Sequence, residues 1–503
     1  MQKNTQRLFQ HLLYPVIALA CTCLSLSAAE KQPNILLFLT DDDSALDRSA
    51  YGWTNIPTPG FDRVAEQGVL FKNAYSSVSS CAPARATILT GRHFWQNEEM
   101  AFIQGFLRSE IPTLTNILAE SGYFVGMTVK DNGPVSSPPN SQDNVLGPRY
   151  QSEMMESVPP EIRPYDYAAN FMKFLEDREA RQPFFFWAGV IEPHWPWGDE
   201  NYKLLEEEFG ISVDEIKLPP ALEDTRAMRE WWGGYLYAIC YADTHLQRML
   251  DHLEAIGELD NTIIIAAGDN GAYLPVDASR FRPHVPPDEG PLRSRGKSSP
   301  YDYGVHVPLA IMWPEGIPAN RVVEDFVSFA DFAPTLLEII GIEAPEGMTG
   351  KSLTSILKSD QSGMIEQRDL MRTGLEWHGE LDPISRSSRA LRKGDFTYIV
   401  FYDNVDEAGN PLSNEELSTP VEEALYDLSN DRWQLNDLID DPDYADILSL
   451  MRELYIQNGL AMDDPRVTGE MDLFRTMRQY VQQRKKIGYK KTVPMSVEEV
   501  LNH

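Results

Sequence analysis

Two polar clusters stand directly behind apolar runs. Asp41-Asp42-Asp43 follows Asn34-Ile35-Leu36-Leu37-Phe38-Leu39-Thr40, and Asp269-Asn270 follows Thr262-Ile263-Ile264-Ile265-Ala266-Ala267-Gly268. Carboxylate and amide oxygens are hard ligands of the kind that Ca2+ or Mg2+ takes. Either pair alone is also an ordinary turn or helix cap. Brought to one end of a sheet, uncoordinated carboxylates would repel or take up protons. A cation held by Asp41, Asp42, Asp269 and Asn270 is therefore expected, and no thiolate or histidine-rich cluster argues for zinc. Cys81 lies in Ser79-Ser80-Cys81-Ala82-Pro83-Ala84-Arg85, a polar, turn-rich segment leading into a helix, the setting in which a functional cysteine is usually presented. Cys240, inside the apolar run from Tyr235 to Tyr241, reads as a small buried hydrophobe.

The elements that must position these groups are legible in the periodicity. Residues 34–40 and 262–267 are continuous apolar runs, as is Phe184 to Val190, which ends in Glu192-Pro193-His194. Such runs suit strands buried on both faces of a parallel sheet, whose carboxyl ends are where open α/β sheets place ligands. Apolar recurrence at three and four residues predicts helices over Ile111 to Ser121, Tyr165 to Asp177, Arg226 to Ile256 and Asp331 to Ile340. The sheet-bearing domain is expected over 30–357, the catalytic one if the acids at its strand ends do chemistry, and a smaller α+β subdomain over 358–503. In the latter, Phe396 to Tyr402 and Ala424 to Asp427 alternate, and Tyr444 to Asn458 and Leu473 to Lys485 are helical in pattern. The Pro-rich stretch Pro275 to Pro291 reads as a long loop over the site.

The chain of 503 residues carries 76 Asp and Glu against 44 Lys and Arg, a formal net charge of −32. So acidic a balance, with no Lys/Arg block, argues against nucleic acid or an anionic membrane as a partner. With 42% hydrophobic and 10% aromatic residues, the chain has the composition of a packed protein and not of an acidic disordered one. Residues 1–29 read as a secretory signal: Lys3 and Arg7 open it, Leu12 to Leu26 is mostly apolar, and Ser27-Ala28-Ala29 offers a small-residue cleavage site. Pro15, Thr22 and Ser25 interrupt the apolar run, which speaks against a membrane-spanning anchor. Lipid attachment at Cys21 is a minor alternative. A periplasmic or secreted protein without membrane integration is expected, and two cysteines in the mature chain do not make a disulfide scaffold.

Cys81-Ala82-Pro83-Ala84-Arg85 followed by Thr90-Gly91-Arg92 resembles the signature of the type I sulfatases. It is joined, in the family's order, by Asp41-Asp42, Thr58-Pro59 with Asp62, Lys130, Pro193-His194, Asp269-Asn270-Gly271, and Gly296-Lys297 with Tyr301, Gly304 and Pro308. Leu425-Tyr426-Asp427-Leu428 with Asn436 and Leu438 resembles the segment that closes these enzymes, so the likeness spans about residues 33 to 440. The resemblance implies an alkaline-phosphatase-like α/β fold, a large mixed and mostly parallel sheet sandwiched by helices, with a small C-terminal α+β subdomain. It implies that Cys81 is oxidised to formylglycine before folding, by a formylglycine-generating or anaerobic sulfatase-maturating enzyme, and that residue 81 joins the ligands of one Ca2+. A thiol suits sulfate-ester cleavage poorly, because a sulfur adduct has no easy breakdown; an aldehyde hydrate offers one hydroxyl for attack and another to expel sulfate. By the same resemblance Arg85 holds the formylglycine, and Lys130, His194 and Lys297 contact the sulfate and the leaving oxygen.

The sequence departs from the family where Val129-Lys130-Asp131-Asn132 replaces a common Gly-Lys-x-His. His378, in Thr373-Gly374-Leu375-Glu376-Trp377-His378, is the candidate for a second site histidine, with a surface turn as its alternative. Ser76 to Ser80 and Tyr301 to Pro308 look most like the branch containing heparan N-sulfatase and bacterial polysaccharide sulfatases. Trp195, Trp197, Trp377 and His378 could contact a saccharide ring. The reading is an exported sulfatase acting on sulfate esters of a carbohydrate such as ulvan, carrageenan or a glycosaminoglycan. The alternatives are an N-sulfoglucosamine sulfohydrolase, a phosphoester hydrolase on the same fold, and a non-catalytic glycan-binding protein.

Overall fold

The computed structural model describes residues 31–54, 56–131, 145–274, 295–378, 386–406, 410–487 and 495–502, and Pro33–His503 forms one compact unit. The signal-like segment 1–29, Asn132 and the loop Pro275 to Pro291 lie outside the described residues. Among the described residues no helix is long and apolar enough to cross a membrane.

The three apolar runs are strands of one seven-stranded sheet. In chain order these are β1 (Asn34–Thr40), β2 (Val69–Tyr75), β3 (Phe124–Val129), β4 (Phe184–Gly189), β5 (Thr262–Gly268), β6 (Leu309–Met312) and β7 (Arg321–Ser328). Their spatial order is β3-β4-β1-β5-β6-β2-β7. All adjacent pairs are parallel except those of β6, which runs antiparallel to β5 and to β2. The sheet is therefore mixed and mostly parallel, as expected. β1 shows why its sequence is apolar throughout. Successive side chains point to opposite faces, and both faces are covered. Ile35, Leu37 and Leu39 enter one core with Leu114, Leu118 and Leu336, whereas Leu36 and Phe38 enter another with Phe171, Phe174, Leu246 and Met249.

The helices that cover the sheet are α1 (Pro59–Glu66), α2 (Cys81–Thr90), α3 (Leu114–Glu120), α4 (Tyr167–Asp177) and α6 (Arg226–Ala255), together with the helix Phe332–Ile339, while α5 (Asn201–Phe209) packs on α6 in a separate core. α4 and α6 start where a side chain caps them. Asp166 accepts from the Ala169 amide, and Thr225 accepts from the Met228 amide; such caps satisfy amides that a helix start leaves without partners. Beyond Lys358, an antiparallel sheet has the order β11-β10-β9-β8, with β8 at Leu370–Leu375, β9 at Ser387–Lys393, β10 at Phe396–Tyr402 and β11 at Glu422–Asp427. The helix Ala445–Ala461 packs on this sheet through Met451 and Tyr455.

Candidate active site

Register delivers the site. β1 and β5 run parallel with Thr40 opposite Gly268, so the next residues, Asp41-Asp42 and Asp269-Asn270, emerge side by side. On the other flank of β1, Val129 of β3 lies opposite Gly189 of β4, which brings Lys130 and the Glu192-Pro193-His194 turn to the same edge. Backbone bonds tie these ends together: the Asp41 amide donates to Glu192 O at 3.3 Å and the Asp269 amide to Thr40 O at 2.9 Å. The chain is bent sharply there. Asp42 has φ 65° and Val129 φ 52°; the left-handed region is tolerated by Asp but strained for a β-branched residue.

Cys81 is the first residue of α2, with Ser80 before it in an extended conformation. The Ser80 hydroxyl and His378 Nδ1 are 2.8 Å apart, so the segment after β8 reaches the cysteine. The loop carrying Lys297 is fixed to the cysteine loop by the Ser298 amide, which donates to Ser79 O at 3.0 Å. The buried Arg85 donates from Nε to Asp269 Oδ2 at 2.8 Å, while Asp269 Oδ1 accepts from the Asp42 amide at 3.1 Å. Lys297 Nζ is 2.5 Å from Asp42 Oδ1, and Lys130 pairs with Asp41. His194 Nε2 lies 3.8 Å from Asp42 Oδ2.

The electrostatics follow from burial among charges. Burial raises the Asp42 carboxyl to about 6 in spite of Lys297. Asp269 is held below the usual carboxylate range because Arg85, Lys130 and Lys297 outweigh its burial. Burial first, then Lys297, lowers the Lys130 ammonium to about 7, with Arg163 adding to the push. The same two causes, burial and then the cations Lys297 and Lys130, hold His194 well below its ordinary value and His378 down at about 3. Both imidazoles are neutral at pH 7. Burial also pushes the Cys81 thiol up, the opposite of what a thiolate nucleophile needs.

The donor set fits a hard divalent cation. Asp41 Oδ1, Asp42 Oδ2 and Asn270 Oδ1 are buried without hydrogen-bond partners, a costly arrangement that coordination would relieve. Ligand atoms of Asp41, Cys81 and Asp269 lie within 4.8 Å of one another, as do those of Asp41, Asp42 and His194. An oxygen at position 81 would suit this set better than sulfur.

Residues 33–342 match the family model described as Sulfatase, 310 of the chain's 503 residues. The chain belongs to the sulfatase family. Residues 296–458 of this sulfatase also match the model described as N-sulphoglucosamine sulphohydrolase, C-terminal. It is 27% identical over 438 residues to an ulvan-active sulfatase of Formosa agariphila, covering 84% of this chain and 78% of that one. To the N-acetylglucosamine-6-O-sulfatase of Bacteroides thetaiotaomicron it is 24% identical over 536 aligned positions, covering 88% of this chain and 90% of that one. A structure solved in complex with its substrate D-glucosamine-2-N,6-O-disulfate superposes with a TM-score of 0.66 at 20% identity, over 87% of this chain and 99% of that one. The fold is the alkaline-phosphatase-like fold of the family, and sulfatases hydrolyse sulfate esters.

All the site residues expected from the sulfatase's sequence, Asp41, Asp42, Cys81, Arg85, Lys130, His194, Asp269, Asn270, Lys297 and His378, converge on the carboxyl ends of β3, β4, β1 and β5. Two expected saccharide contacts do not join them. Trp197 is 6% exposed, donates to Pro193 O and packs among Trp231, Trp232 and Tyr235; Trp377 is 5% exposed in a core with Phe94 and Trp95. Both are structural, as large aromatics usually are. Trp195 is half-buried beside Tyr273, with ring centroids 6.4 Å apart. Sequence reasoning missed Ser80, whose position before the cysteine was the available signal. It also left Asp43 unassigned: Asp43 takes Arg48 at 3.1 Å and 2.5 Å and Thr40 at 2.8 Å, which makes it the structural member of the acidic run.

Proposed function

We propose that this sulfatase acts, after export, on sulfate esters of a sulfated carbohydrate, with Cys81 converted to formylglycine and one Ca2+ held by Asp41, Asp42, Asp269, Asn270 and residue 81. The observation that carries this reading is the group of buried, partnerless oxygens of Asp41, Asp42 and Asn270 facing a cysteine whose thiol is pushed up by burial. The first feature suits a cation, and the second argues that sulfur is not the working nucleophile. The relatives named as acting on ulvan and on N-acetylglucosamine sulfate support a carbohydrate substrate.

In this reading Asp41, Asp42, Asp269 and Asn270 would hold the cation, which when bound would supply Lewis-acid stabilisation of negative charge. Arg85, fixed on Asp269, orients residue 81. Lys297 and Lys130 stabilise the sulfate oxygens. His194, half-buried, is held through Nδ1 by Trp195 O, so in its neutral form Nε2 carries no proton; it contacts the leaving oxygen and serves as the acid only once substrate binding has charged the ring, and His378 with Ser80 braces the other side of residue 81. Mass spectrometry of the peptide containing Cys81 tests the modification: loss of sulfur to give the aldehyde is expected from a host with a maturating enzyme. An intact thiol in a preparation that still releases sulfate would sink it. Sulfate release from defined sulfated oligosaccharides tests the substrate class. Cleavage of glucosamine N-sulfate and of no O-sulfate would favour the second reading, an N-sulfatase, which the match of residues 296–458 supports.

A further inference from the structure

The other cations at the site are each tied to an acid: Lys130 to Asp41, Lys297 to Asp42, Arg85 to Asp269 and, at the rim, Arg149 to Asp131. Arg163 is different. Its backbone is anchored at the site, since its amide donates to Glu192 Oε1 at 2.8 Å and the Glu192 carbonyl accepts from the Asp41 amide. Glu192 lies two residues before His194. The Glu192 carboxylate is already engaged, by that amide and by the Tyr167 hydroxyl at 2.8 Å on Oε2. Arg163 is half-buried, and its guanidinium donates no hydrogen bond and makes no ion pair among the described residues; its charge acts at longer range on Lys130 and on the Glu192 carboxyl.

Other arginines, Arg92 and Arg181 among them, also lack an ion pair among the described residues; what marks Arg163 is its place beside the site, where its charge reaches Lys130. A guanidinium presents several donors in a planar fork that matches a carboxylate or a sulfate. We propose that Arg163 is a specificity residue that receives a second oxyanion of the substrate, a sulfate or carboxylate on the sugar bearing the scissile sulfate or on its neighbour. The proposal rests on the carbohydrate sulfatase reading and narrows it to substrates with at least two anionic groups.

The test is calorimetric binding to the Ca2+-loaded protein, wild type and Arg163→Ala, with sulfate release followed in parallel. The probes are N-acetylglucosamine 6-sulfate, with one anion; D-glucosamine-2-N,6-O-disulfate, with two sulfates; and an unsaturated chondroitin 6-sulfate disaccharide, with a sulfate and a carboxylate. Wild type should bind at least one two-anion probe tenfold or more tightly than the one-anion probe. Arg163→Ala should abolish that preference, and Arg163→Lys should restore part of it. For a turned-over two-anion substrate, KM should rise about tenfold in Arg163→Ala while kcat holds. The arm that shows the preference identifies the second group as sulfate or carboxylate. No two-anion preference in the wild type, or one that Arg163→Ala leaves intact, overturns the proposal even if sulfate is released. A preference lost in Arg163→Ala without sulfate release from any probe upholds Arg163 and overturns the sulfatase chemistry instead.

Discussion

Three carboxylates, Asp41, Asp42 and Asp269, meet three side-chain cations, Lys130, Lys297 and Arg85. Their charges cancel, so the pocket draws an anion strongly only when a divalent cation is present. Stripping the protein with EDTA should weaken binding of inorganic sulfate by more than tenfold, and Ca2+ should restore it; calorimetry reads both steps, and unchanged affinity would remove the cation from the site. Lys297→Ala should lower sulfate-ester turnover by about 100-fold or more, the range for losing a group that stabilises developing charge. It also leaves Asp42 without its ammonium, so a melting curve must accompany the assay. The residues proposed to do chemistry were legible because their types are unusual where they stand, as acids behind apolar runs or a cysteine in a polar turn. The tryptophans were not. A Trp side chain reads the same in a core as at a sugar, and the folded packing alone separates Trp197 and Trp377 from Trp195.

At the scale of elements, one network holds the His378 segment in place. Glu376, two residues before the histidine, takes Arg389 Nη2 at 2.7 Å, Arg466 Nη2 at 2.6 Å and Ser387 Oγ at 2.9 Å; Asp464 takes Arg372 and Arg389 Nε, each at 2.8 Å. Burial alone would raise both acids, but the arginines outweigh it and hold Glu376 and Asp464 at about 2, below their ordinary 4.5 and 3.8. Because the folded values are depressed, this stabilisation is full above pH 4.5 and is lost as pH falls toward 2. The urea midpoint should drop across that window. Glu376→Gln should cost about 3–5 kcal/mol at pH 7, as breaking a buried pair does, and should flatten part of the acid decline. A variant with the wild-type pH profile would show that the network does not act this way. This network was not legible: its members lie on and just after β8, on β9 and at the start of the helix Pro465–Thr468, and nothing local marks distant charges as partners. β8 and β9 themselves mix Arg, Ser and Thr with apolar residues, so they lack the continuous runs that betrayed β1, β4 and β5.

For the whole molecule, a net charge of −32 surrounds a small pocket in which three acids are matched by three bases. A long polyanionic glycan is repelled by that surface over ~30 Å at 0.01 M salt and over only ~8 Å at 0.15 M. Raising salt between those limits should therefore lower KM for a long sulfated chain severalfold and leave a monosaccharide sulfate nearly unchanged; a rise in KM for the chain would reveal a basic cleft. The fold was legible at this scale because a parallel sheet buried on both faces writes itself as apolar runs ending in polar residues. The antiparallel insertion of β6, four residues long, left no comparable trace. The position of Cys81 reaches beyond structure into timing. It is 7% exposed, opens α2, and follows a segment pinned by Ser298 at Ser79 and by His378 at Ser80. If a second enzyme must reach this side chain, it has to do so while the chain is still open, so maturation and folding are competitors for the same nascent polypeptide. On that condition, molecules that fold first would be sealed as well-packed, inert twins of the active form. Supplying the maturating enzyme afterwards would not rescue them, and the active fraction of a preparation would be fixed during synthesis.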